Sequence, residues 1–427
     1  MKEKFKLTAL ERGWILYDVG NSAFILMVST LIPIFFNALA ESAGVHEDLY
    51  LSYWGYAGSI ATVLVAIIGP VCGAIADRNN KRVIFLISML VGVLACGMLG
   101  AMSGWIAFLA MFILARVGYS ASIVFYDSML PEITTGERMD KVSSMGYAYG
   151  YIGSVIPFIV CLVLVLMHGS FGISQGTAMT IAFLITSFWW VGCSLPLLKG
   201  YKQTAFQAPT QTPVKDAFRQ LWNTLKAARQ EKHIFLYLLS FFFFIDGVYT
   251  IIDMATAYGA ALGLDTTGLL LALLLTQFVA FPCSIIFGRL SSRNDAGLLI
   301  KVCIAAYTGI TVFGIFLVSQ WQFWVLATLV GMFQGGIQAL SRSYLGKIIP
   351  AERSGEFYGL MDIFGKGASF VGMLLVSVMS QATAGITVDI FGITLQNENL
   401  AVGSLIILFI IGYLLFCKAD KLNKQRN

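Results

Sequence analysis

Two apolar stretches without a single charge, "YAGSIATVLVAIIGPVC" (56–72) and "VIFLISMLVGVLACGML" (83–99), flank the basic knot "GAIADRNNKR" (73–82). Uncharged runs of this length suit the roughly 30 Å hydrocarbon core of a bilayer. In hydrocarbon the backbone must satisfy its own hydrogen bonds, so such runs are helices. They are continuous and do not alternate, which excludes an outer-membrane barrel. Charged residues make up 12% of the 427, against about 25% in soluble domains. Mean hydropathy is +0.79.

The pattern predicts twelve spans, near 13–39, 51–76, 82–103, 105–128, 142–168, 176–199, 234–262, 266–290, 297–319, 321–345, 354–383 and 399–417. The first follows "MKEKFKLTALERGW" with no small-residue cleavage site behind it, and reads as a retained helix. Basic residues gather in alternate connections: Lys2, Lys4, Lys6 and Arg12 before span 1, then Arg78, Lys81 and Arg82 after span 2. Arg138 and Lys141, the bases of 199–232, Arg289, Arg293 and Lys301, Arg342, Lys347 and Arg353, and the tail from Lys418 continue the series. The remaining loops carry only acids, among them Glu41, Asp265, Asp389 and Glu398. This bias predicts a multi-pass cell-membrane protein with both termini in the cytoplasm. The net charge of +5 is then topology and implies no nucleic-acid partner. Arg116 and Lys366 alone escape the rule.

The knot recurs. Gly73 and Gly288 stand 288 − 73 = 215 apart, and the same offset aligns Arg78 with Arg293. Carried forward without a gap, it aligns Leu130 with Leu345, Glu137 with Glu352, Arg138 with Arg353, Gly150 with Gly365 and Ser154 with Ser369. Asp18 and Asp246 pair at a slightly different offset, 246 − 18 = 228. Two six-helix halves, 1–199 and 233–427, joined by a cytoplasmic connector at 200–232, are expected to form a parallel-repeat transporter.

Twelve helices, two halves and Gly73, Asp77, Arg78, Lys81 and Arg82 in the spacing G-x-x-x-D-R-x-x-[KR]-R resemble the major facilitator superfamily. "LYDVGNSAF" (16–24), "FYDSMLPEI" (125–133) and "GGIQALSRSYLGKIIPAERSGEFYGLMDIFGKGASFVG" (335–372) are similar to its vacuole-effluxer branch, the autophagy-related amino-acid exporters and their bacterial relatives. Members often carry Asn where this chain has Asp127. The resemblance implies an all-α fold and transport of a small-molecule solute. It also implies that Asp77 meets the start of span 11, where a helix N-terminus carries about half a positive charge and favours a carboxylate by about 0.3–2 kcal/mol. The basic residues beside it would anchor to carboxylates and lipid phosphates. The second half keeps Gly288 and Arg293 but has Ser292 for the acid, so a weaker second latch is expected.

Ionisable groups inside spans cost about 2.5–3.5 kcal/mol each and therefore line water or pair. Asp18 and Asn21 share a face of span 1, as do Asp246, Thr250 and Asp253 on span 7. Span 4 offers Arg116 and Tyr119, span 10 Gln334 and Gln338, span 11 Asp362 and Lys366. These residues, Thr250 aside, are the ten of the expected solute and proton pathway. Rival structural readings are a self-contained Asp362–Lys366 clasp, a wetted helix end around Asp18, and simple close packing for the Gly146–Pro157 face of span 5.

The seven cysteines fall in or beside spans without a C-x-x-C pair and read as apolar filler. His46, His168 and His233 are scattered. No catalytic constellation, metal-ligand cluster or phosphate loop is present, so neither an enzyme nor a cofactor is expected, and gradients must supply the work. The expectation is a monomeric secondary transporter exporting amino acids with proton coupling. Efflux of amphipathic drugs and a non-transporting membrane sensor stand as alternatives.

Overall fold

The computed structural model describes residues 5–46, 49–78, 80–206, 231–383, 386–390 and 393–426. Most of the 200–232 connector, and with it Lys215, Arg219, Lys226 and Arg229, falls outside them, as do Lys2, Lys4 and Asn79.

Fourteen α-helices carry the described fold: α1 Ala9–Val28, α2 Leu31–Ser42, α3 Tyr50–Arg78, α4 Lys81–Met98, α5 Trp105–Ile133, α6 Gly136–Leu166, α7 Gln175–Gly200, α8 Lys232–Ala261, α9 Thr266–Leu290, α10 Ala296–Ile315, α11 Gln320–Ile348, α12 Ser354–Ala382, α13 Asn397–Gly403 and α14 Leu405–Arg426. Among the described residues, ten helical segments are long and apolar enough to cross a membrane. Two shorter apolar stretches, Tyr53–Gly69 in α3 and Val371–Ala382 in α12, complete the twelve. A small antiparallel hairpin, β1 Val388–Ile390 on β2 Ile393–Leu395, stands where only a loop was expected.

Local chemistry sets the helix ends. Thr8 and Glu11 form a capping box, each side chain bonding the other's backbone N–H, which starts α1 four residues before the expected 13. Span 1 is broken between Val28 and Leu31. Pro33 has no N–H for the carbonyl of Ser29, and Ser29 and Thr30 turn their hydroxyls back onto Ile25 and Leu26. Asp265 caps α9 through the Gly268 amide at 2.7 Å.

By packing, the chain divides into two units. Unit one comprises Met1–Thr135, Tyr149–Leu221 and Pro350–Gly359; unit two comprises Gly136–Ala148, Trp222–Ile349 and Leu360–Asn427. The first turns of α6 thus count with unit two, and those of α12 with unit one. In unit one α1 packs on α7, α5 on α3 and α4, and α4 on α7. In unit two α8 packs on α14, α11 on α9 and α10, and α10 on α14. The scheme is the same six-span plan used twice, the duplication already visible in the 215-residue offset.

Unit one has an aromatic core. Trp14 stacks on Tyr126 with centroids 4.3 Å apart and donates its indole N–H to the Tyr126 carbonyl at 2.9 Å. α4 and α5 touch backbone to backbone: a Cβ on Gly118 would lie 2.3 Å from the Gly92 nitrogen, so only glycine fits there.

Candidate functional site

α3, α5, α6, α11 and α12 each run 29 to 31 residues. At 1.5 Å per residue they reach about 43–47 Å, beyond the roughly 30 Å hydrocarbon core. Their surplus turns end in two joints, one in each unit.

The first joint holds the start of α12. Asp77 Oδ1 accepts the Gly355 N–H at 2.9 Å and Oδ2 the Glu356 N–H at 3.0 Å. Both are donors that a helix cannot satisfy internally at its N-terminus, and a carboxylate there also meets the positive end of the dipole. Lys81 Nζ lies 3.2 Å from Asp77, 2.8 Å from Glu132 and 2.9 Å from the Ser354 hydroxyl. Neither Lys81 nor Asp77 is exposed at all. One ammonium between two carboxylates leaves a net negative charge, which the α12 amides offset. Gly73 permits the approach: a Cβ there would sit 2.4 Å from the Gly355 carbonyl oxygen. Glu132 also accepts from Tyr201 Oη and from the Thr204 and Ala205 amides. Gln203 donates to the Ala76 carbonyl and accepts from Lys81 N. The segment leaving α7, residues 201–206, is therefore bolted to the same joint.

Lys81, expected to anchor to carboxylates and lipid phosphates, meets two carboxylates and is the buried centre of this network. Arg82 is exposed, Arg78 half-buried and Arg293 exposed.

The second joint holds the start of α6 and uses other chemistry. Gly288 lies against Ser144, whose Cβ an added methyl would meet at 2.7 Å. Ser292 is exposed and bonds only the Arg289 carbonyl. The acid comes from α6 itself: Asp140 pairs with Lys347 at 2.6 Å and accepts from Ser343 at 2.7 Å. Arg342, 3% exposed, donates to the Ser143 hydroxyl and carbonyl, both at 3.0 Å, and its guanidinium lies 4.3 Å from the Tyr147 ring. Arg342 was assigned to topology by its place in the chain; burial makes it part of this joint. Asp140, Ser143, Arg342 and Lys347 were missed. The offset held a signal: 127 + 215 = 342 and 132 + 215 = 347 set bases where the first half has Asp127 and Glu132.

Inside the spans the expected pathway residues separate. In unit one, Asp18 is 6% exposed and nine residues into α1, about 14 Å, so it is no wetted helix end. Asn21 Nδ2 donates to its own helix at the Tyr17 carbonyl. Tyr17 Oη donates to Ser122, which donates to the Tyr119 carbonyl. The Tyr119 ring belongs to an aromatic group with Phe24 and Trp190. Arg116 is half-buried, eleven residues or about 17 Å into α5. Among the described residues it has no hydrogen-bond, ion-pair or aromatic partner. Gly150 and Gly153 of α6 abut Ser22 and Val19 of α1, and α6 continues through Pro157, so this face is close packing.

In unit two, Asp246 is fully buried. Its Oδ1 accepts the Gly372 N–H at 2.8 Å and the Thr250 hydroxyl at 3.3 Å, while Oδ2 has no partner among the described residues. Asp253, expected to be desolvated with it, is exposed, because seven residues of helix carry it about 10 Å further along α8. Gln334 is buried with its Oε1 unpartnered among the described residues. Gln338 and Asp362 are half-buried and engaged. The Lys366 side chain lies outside the described residues, and the Asp362–Lys366 clasp with it.

Comparison with known proteins agrees with this architecture. A Bacillus subtilis (strain 168) protein, named as the uncharacterized MFS-type transporter YxiO, is 38% identical over 413 residues, spanning 95% of this chain and 94% of its own. The crystal structure of a bacterial homologue of the iron transporter ferroportin matches the fold at TM-score 0.68 and 15% identity, covering 97% of this chain and 98% of that one. The Major Facilitator Superfamily transporter FucP matches at TM-score 0.68 and 12% identity, covering 96% and 97%. The family model for "Vacuole effluxer Atg22 like" proteins matches residues 10–426. A chain of twelve spans in two repeated sets, matched almost end to end, belongs to that family of multi-pass membrane transporters with the major facilitator fold.

Proposed function

We propose that this transporter exports small polar solutes, amino acids foremost, by proton-coupled alternating access. The observation that carries the reading is that, among the described residues, Arg116 of unit one has no partner and Asp246 of unit two leaves its Oδ2 unbonded inside a span. A lone guanidinium at that depth is costly unless it meets water or an anion, and its planar fork suits a carboxylate. A buried carboxyl that meets water from each side in turn can load and release a proton. Asp18, Asn21, Tyr119, Asp253, Gln334, Gln338, Asp362 and Lys366 complete the polar lining in this reading. The effluxer family supports outward direction, and its resemblance to amino-acid exporters supports the solute class.

The halves 1–199 and 233–427, tied by a cytoplasmic 200–232 connector, rock against each other in a bacterial cell membrane. The protein works as a monomer with both termini inside. The two joints fasten one end of the cycle and release in the other.

Flux of labelled amino acids in proteoliposomes, with and without an imposed pH gradient, tests the reading. The gradient should accelerate wild type and leave Asp246→Asn unchanged; Arg116→Gln should lose amino-acid flux in both conditions. Equal flux of wild type and Asp246→Asn in all four conditions removes proton coupling. A wild type that moves other solutes and no amino acid removes the solute class.

A further inference from the structure

Unit two contains a cavity of about 390 Å³ between α8, α10, α11, α12 and α13–α14. It follows α8 from Thr250 to Tyr258, eight residues or about 12 Å. The volume falls within the range of small-molecule sites. Met254, Leu326, Val376 and Leu405 make much of its wall apolar, and the exposed Ser377 and Gln381 of α12 lie at its edge.

Among its described lining residues one side chain is charged. Glu398 Oε2 is buried and accepts no hydrogen bond among the described residues. A buried acceptor on an acid, left unmade, is costly, more so than for a neutral group. Four of the surrounding hydroxyls are spent elsewhere, and neither the Ser380 hydroxyl, which accepts from Asn397, nor the Gln381 amide bonds Oε2. Tyr258 Oη donates to the Gly314 carbonyl at 2.8 Å and accepts from Asn399 at 2.8 Å. Thr311 donates to the Tyr307 carbonyl, Thr250 to Asp246, and Ser377 to the Met373 carbonyl. The cavity therefore offers a carboxylate oxygen that no neutral donor of its wall has taken, and among its described lining residues no cation to meet it. Among the described lining residues there is neither Lys nor Arg, so an anion, or the carboxylate of a zwitterion, would meet no counter-charge there.

We infer that this cavity binds a primary ammonium carrying an apolar body, with the nitrogen on Glu398 and the body between α8 and α10. Three N–H donors supply what the carboxylate misses, and the apolar walls take the rest. This site is distinct from the proposed amino-acid path at Arg116, and its occupancy does not depend on transport. Its polar chemistry selects against the zwitterion that the first reading requires.

Calorimetric titration of the purified full chain with 4-phenylbutylammonium, neutral 4-phenylbutan-1-ol and phenylalanine tests the inference. The ammonium should bind at least tenfold more tightly than the alcohol or the zwitterion. Glu398→Gln should lower its affinity at least tenfold while leaving the alcohol's unchanged. Ala255→Phe, which fills the cavity from α8, should abolish both, with size-exclusion profiles confirming that each variant is folded. Equal affinity for ammonium and alcohol, an unchanged ammonium affinity in Glu398→Gln, or no binding by wild type would overturn it.

Discussion

The joint around Asp77 and the joint around Asp140 fasten corresponding helices with opposite charge. In the first, two acids, Asp77 and Glu132, enclose one base, Lys81, for a balance of −2 + 1 = −1. In the second, two bases, Arg342 and Lys347, grip one α6 segment carrying one acid, Asp140, for −1 + 2 = +1. The first binds backbone amides at a helix start, and the second binds side chains and a carbonyl one turn further in. Duplication preserved where the helices meet. It did not preserve which partner carries which charge, because any complementary pair satisfies a buried polar contact.

The largest contrast should come from deleting one base in each. Lys81→Met strands two buried carboxylates and should cost about 3–5 kcal/mol. The Lys347 side chain is 28% exposed, so Lys347→Met should cost about 0.5–1 kcal/mol. Thermal unfolding in detergent reads both, and equal losses would mean that burial does not distinguish the joints. A smaller contrast is steric. Gly73→Ala drives a methyl into the Gly355 carbonyl and should cost about 1–3 kcal/mol, whereas Gly136→Ala, in open space at the start of α6, should stay within about 0.5 kcal/mol. Smaller still is charge removal with shape kept. Asp77→Asn can accept only one of the two α12 amides and should lose about 1–2 kcal/mol; Asp140→Asn keeps its Ser343 bond and should lose about half that. The exposed Arg82 and Arg293 set the baseline, each changing stability by less than about 0.5 kcal/mol as Gln.

Much of the architecture was legible before any coordinates. Apolar run length gave the spans, and the 215-residue offset gave the repeat that the packing scheme displays. Asp77 was assigned to the start of α12 by family resemblance, and Gly73 with it. The second joint was not legible: Ser292 drew attention to a missing acid, while Asp140 supplied one from the opposite partner. Arg342 was misplaced because basic residues near span ends obey one topological rule whether they face lipid or protein; the same rule says nothing of how deeply Lys81 is buried. Asp253 was grouped with Asp246 by helical spacing, which says which residues share a face and nothing about where a neighbouring helix stops covering it.

The chain's own order of residues determined that it crosses a membrane, how often, and that it does so as a doubled set, since burial in hydrocarbon is an additive property of local composition. Only the tertiary structure decided which charges are spent on one another and which are left over. Pairing depends on distances between residues far apart in sequence, as with Asp77 and Gly355 or Asp140 and Lys347. Oδ2 of Asp246 and Oε2 of Glu398 stand out because they are buried and the fold brings no described partner within reach of them, and half-buried Arg116 because no described residue bonds it.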